Sequence, residues 1–67
     1  MNIKMKTVKT KTILKIIKII RPPLKDRYEL YAGGELVEVV ILGDTAEIYS
    51  TKGDPVKLLK EGFRMIN

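Results

Sequence analysis

Sixty-seven residues without a cysteine or a histidine leave room for one domain and exclude disulfide staples and nearly all zinc, copper or haem chemistry. A chain this short buries only about 60% of the surface its unfolded form exposes. Its stability is therefore expected to rest on self-association, on very economical packing, or on both. The net charge of +5 directs attention to anionic partners.

The first twenty residues loosely imitate a signal peptide, basic and then apolar. Lys15 and Lys18 interrupt the apolar part, however, and Arg21-Pro22-Pro23 stands where a small-residue cleavage site would be needed. Nothing approaches the roughly 20 apolar residues of a membrane span, so a cytoplasmic protein is expected and a membrane partner is not. Gln and Trp are also absent while Lys, Ile and Glu abound, a balance compatible with a thermophile.

Taken in chain order, residues 3–8 read as a short edge strand. For residues 10–20 two readings compete. Ile13, Ile16, Ile17 and Ile20 follow the i, i+3, i+4, i+7 rule of a helix, with Lys11, Lys15 and Lys18 on the other side, and Pro22 and Pro23 would stop such a helix. Val8, Thr10, Thr12, Leu14 and Ile16 also alternate acceptably as a strand. The helix is preferred because the sheet that follows needs a cover larger than one short helix. The strand reading would give a small five-stranded β-barrel of the SH3-like or OB-like kind.

Residues 27–51 carry the firmest pattern. Gly33-Gly34 and Gly43-Asp44 separate β-rich runs and mark tight hairpins. If each pair occupies the central turn positions, Leu30 faces Val37, Tyr28 faces Val39, Val39 faces Ile48 and Ile41 faces Ala46. One face of this three-stranded antiparallel meander is then nearly all apolar, and a one-residue slip would destroy that consistency. Beyond it, Asp54-Pro55 suits the N-cap and first position of a helix over about 55–61. Val56, Leu59 and Phe63 turn to the core, Lys57, Lys60 and Glu61 turn to water, and Gly62 closes the helix in a left-handed conformation. Residues 63–66 read as a last edge strand. The expected fold is α+β: a meander covered by an N-terminal amphipathic helix and a short C-terminal one.

Catalytic side chains are scarce. Ser50 is the only serine and has no histidine base, and no phosphate-cradling glycine loop is present. No catalytic residue, metal ligand or cofactor is assigned, and the chain reads as a binding module rather than an enzyme. The deduced register sets Glu29 opposite Glu38 with Glu47 diagonally near. That pattern suits water-screened carboxylates relieved by Arg27 or a lysine; an acid–base pair, a hard-cation site, or the Lys-rich N-terminus lying over the acidic face are the other readings.

The charge is unevenly distributed. Nine cations stand against Asp26 alone in residues 1–27, a net +8, and four stand against seven carboxylates in residues 28–67, a net −3. Lys4, Lys6, Lys9, Lys11, Lys15, Lys18 and Arg21 are accordingly the candidate contacts to DNA or RNA phosphates, largely without sequence preference. Tyr31 and Tyr49, with Glu29, Glu38 and Glu47, form the candidate protein interface, because an apolar-plus-tyrosine surface rimmed by charge suits a protein partner. Two functions follow as expectations: non-sequence-specific nucleic-acid association through the N-terminal segment, or a homo-oligomer in which the basic N-terminus meets the acidic sheet face.

Overall fold

Both glycine pairs reverse the chain. Gly33 and Gly34 take φ of +59° and +79°, the double positive φ of a type I′ turn, whereas at the second turn Gly43 alone is positive, at +74°, as in type II′. The computed structural model describes residues 3–19 and 25–66. Within them lie β1 (Lys4–Lys9), α1 (Thr10–Ile16), β2 (Arg27–Ala32), β3 (Glu35–Leu42), β4 (Thr45–Ser50), α2 (Pro55–Glu61) and β5 (Arg64–Met65). The five strands form one antiparallel sheet in the order β1-β4-β3-β2-β5.

The meander register is the expected one: Leu30 pairs with Val37, Tyr28 with Val39, Val39 with Ile48 and Ile41 with Ala46. Side chains alternate across a strand, so β2, β3 and β4 turn Tyr28, Leu30, Ala32, Val37, Val39, Ala46 and Ile48 inward. All of these are buried, together with Ile13 of α1, Ile17 at its C-terminal end and Leu59 of α2. Both helices lie on this inner face, and the other face of the sheet is open to solvent.

The barrel alternative is overturned. The sheet is open, with β1 and β5 at opposite ends and not paired to each other. The stretch read as an alternating strand through Ile16 leaves the sheet at Thr10, whose N–H and Oγ1 donate to Asp44 O at 2.8 Å and Gly43 O at 2.5 Å. These two bonds bind the strand-to-helix junction to the β3–β4 turn. The helix is also shorter than the expected 10–20. Its C-terminus is a Schellman motif, with Ile19 N–H donating to Leu14 O at 2.9 Å and Lys18 N–H to Lys15 O at 3.2 Å. Lys18 occupies the position usually given to glycine, at φ +62°. The reversal folds Ile19 back onto the core, which an uninterrupted helix would not do. Ile20, Arg21, Pro22 and Pro23 lie outside the described residues.

At the other end, Asp54 Oδ1 accepts from the N–H groups of Val56 at 3.0 Å and Lys57 at 3.3 Å, with Pro55 in the first turn. Gly62 ends α2 at φ +146° and ψ +145°. This is not the left-handed helical conformation expected for it, but it is still a region that is essentially glycine's alone.

Candidate functional site

Strand alternation sorts the charges into two layers. On β1, Lys4 and Lys6 pair with Ser50 and Ile48, whose side chains are buried on the inner face. These two lysines therefore project from the edge of the sheet on the side where the helices lie. Lys11 and Lys15 are exposed on α1 and Lys18 just after it, while Lys57 and Lys60 are exposed on α2. The helical layer thus carries seven lysines against Asp54, Glu61 and Glu35, the last turned to this side with Val37 and Val39, a net +4. Lys9, on the odd-numbered side of β1 opposite Thr45, projects to the other face. Arg21 lies outside the described residues.

Two open clefts run along α2. One, of ≈ 480 Å³, lies between β1 and the helix and is lined by Lys6, Thr7, Val8, Asp54, Val56, Lys57 and Lys60. The other, of ≈ 660 Å³, lies by the end of α1 and is lined by Ile16, Lys18, Leu59, Lys60, Glu61, Gly62 and Phe63. They share Lys60, so Lys6, Lys57 and Lys60 line one cleft and Lys18 and Lys60 the next, with Asp54 in the first and Glu61 in the second. Lys6 Nζ reaches Asp54 Oδ2 at 3.9 Å with both side chains about half exposed, a contact that water screens strongly. Asp54 is held below the usual carboxylate range chiefly by the Lys57 N–H, with the charges of Lys6 and Lys57 as smaller contributions. A further cleft of ≈ 520 Å³ sets Lys9 and Lys11 beside Asp44 at the strand-to-helix junction.

The outer sheet face gathers every residue expected at a protein interface: Glu29, Tyr31, Glu38, Glu47 and Tyr49. Glu29 pairs directly with Glu38, and Arg27 offsets the repulsion. Its guanidinium donates to Glu38 Oε2 through Nε at 2.9 Å and also through Nη2. That bond, reinforced by the Glu38 charge, raises the Arg27 pKa. Tyr49 Oη donates to Glu47 Oε1 at 2.6 Å, which raises the tyrosine's pKa. The Arg64 guanidinium stands 5.9 Å from the Tyr31 ring centroid. With Lys9 and Arg64 joining Arg27, this face balances three cations against three glutamates and is neutral rather than acidic. The N-terminal segment does not lie over it in the same chain; β1 extends the sheet beside β4 instead. Among the described residues no three acidic side chains come together as a metal-holding group.

Two features escaped the sequence. Lys57 and Lys60 belong with the N-terminal lysines, and their i, i+3 spacing was visible, but only the docking of α2 beside β1 brings them to Lys6. Glu35 is the other. Its carboxylate accepts from the N–H groups of Thr51 (2.6 Å), Lys52 (3.0 Å) and Gly53 (3.0 Å) and from Thr51 Oγ1 (2.9 Å). These bonds, Gly53's foremost, hold its pKa down to about 2. Ser50 is buried and donates its hydroxyl to Gly53 O, which ties it to the same loop. Among the described residues no helix is long and apolar enough to cross a membrane. Comparison with protein-family models, with curated proteins and with solved structures found no match to this chain.

Proposed function

We propose that the protein is a nucleic-acid-associated binding module, not an enzyme, that holds phosphates on its helical layer and uses the two lysine-lined clefts along α2 as the principal track. The observation that supports this is the segregation of charge: seven lysines and three carboxylates on one layer, against a balanced three and three on the other. Lysines present point charges to phosphates and carry little base information, so binding is without sequence preference. The reading extends the N-terminal set to Lys57 and Lys60 and removes Lys9 from it, since Lys9 projects to the opposite face.

Fluorescence anisotropy with a labelled single strand and a labelled duplex across a salt series tests it. Neutralising about four phosphates on a single strand gives a slope of log K against log salt of roughly −3. The double variant Lys57→Glu/Lys60→Glu weakens binding by at least about tenfold at low salt, and Lys9→Glu leaves it nearly unchanged. Salt-independent binding, or equal losses from both variants, would sink the proposal.

A further inference from the structure

We infer that the outer sheet face is the contact between two copies of this chain, related by a two-fold axis along β3. The inference does not depend on the nucleic-acid reading. Of seven exposed large hydrophobic side chains among the described residues, Met5, Tyr31, Leu36 and Leu42 project from this face by their strand pairing, and Ile66 joins them where its N–H continues the ladder to Glu29 O at 2.9 Å. Neither helix contributes to that set. The exposed apolar surface is thus concentrated on the layer that carries no net charge.

The occupant follows from symmetry and charge. A two-fold contact must be complementary to itself. The helical layer, at a net +4, would repel its own copy, whereas the outer face holds both signs in equal number. β3 is the central strand of five, so an axis along it gives the two sheets their greatest overlap. It sets Leu36 and Leu42 beside their own counterparts, brings Glu38 toward its own copy with each carboxylate already bonded by the Arg27 of its chain, and exchanges β2 with β4. Arg27 and Glu47 flank Val40 on opposite sides in the same cross-strand row. The exchange therefore lays Glu47 of each copy over Arg27 of the other, to within the angle set by sheet twist. Four inter-strand spacings and six-residue strands make a face of about 20 × 20 Å, hence of the order of 1,000 Å² for the pair. That is the low end for a specific contact, so the dimer forms in a concentration-dependent way.

Sedimentation velocity on the full chain from about 5 to about 500 µM tests the proposal. The expected result is a monomer–dimer equilibrium that Leu36→Glu and Leu42→Glu each abolish. Both positions are exposed, at 44% and 53%, and unchanged circular dichroism shows that the fold is kept. Arg27→Glu and Glu47→Arg each weaken self-association by about tenfold, and an equimolar mixture of the two recovers it, because both cross-contacts are then between opposite charges. A wild-type chain that stays monomeric throughout, leucine variants that dimerise normally, or a mixture no stronger than its components would each overturn the inference.

Discussion

α1 and α2 are both seven residues long, too short to persist alone in water, yet they are held in opposite ways. α2 is specified by its own termini: Asp54 accepts two N–H bonds, Pro55 occupies the first turn, and Gly62 ends it in a glycine-only conformation. The loop that leads into it is fastened by Glu35, and Gly33 and Gly53 crowd against Leu58, where an added Cβ would collide or press at 3.1 Å. α1 has no side-chain cap at Lys9 and bends out at a lysine with positive φ. Its place is fixed by burial of Ile13 and Ile17 and by Thr10's two bonds to the β3–β4 turn. A helix can be written into its ends or imposed by the surface it covers, and this chain does one of each.

Four measurements would break or sharpen that contrast. The largest effect is expected at Ile13, fully buried. Ile13→Ala should cost about 2–5 kcal/mol in urea denaturation, and a smaller loss would mean that α1 does not depend on its cover. Next is pH. Glu35 has a folded-state pKa near 2 against an ordinary 4.5, so its stabilisation is complete above about pH 4.5 and is lost as pH falls toward 2. Denaturation midpoints across that window should fall less steeply in Glu35→Gln than in the wild type, and parallel curves would contradict the loop anchor. Removing the cap with Asp54→Ala should lower Tm by about 5 °C, read by thermal melting; no change would show that α2 too rests on tertiary contacts. The smallest effect is a gain. Lys18→Gly relieves a left-handed lysine and should stabilise by about 1 kcal/mol, and a loss would mean that the Schellman reversal is not the resting conformation of this turn.

The same contrast separates what was legible from what was not. The glycine pairs and the alternation of Tyr28, Leu30, Val37, Val39, Ile41, Ala46 and Ile48 were enough to set the hairpin register, and Asp54-Pro55 was enough to start α2. The five residues expected at a protein interface fall on one face because that face follows from the register. The lysines were harder. Reading them as one N-terminal group missed that pleat parity sends Lys9 to the opposite side from Lys4 and Lys6, and that Lys18 leaves the helical ladder.

By itself, the sequence determined those properties whose physics is local: turn chemistry, strand periodicity, helix capping and total charge. Tertiary structure alone decided between the helix and strand readings of residues 10–16, set the edge strand β1 beside β4, brought Lys57 and Lys60 to Lys6, and let Glu35 close the loop at 51–53. Each of these depends on groups distant along the chain, and the hydrogen bonds or burial that favour them exist only once the sheet is assembled.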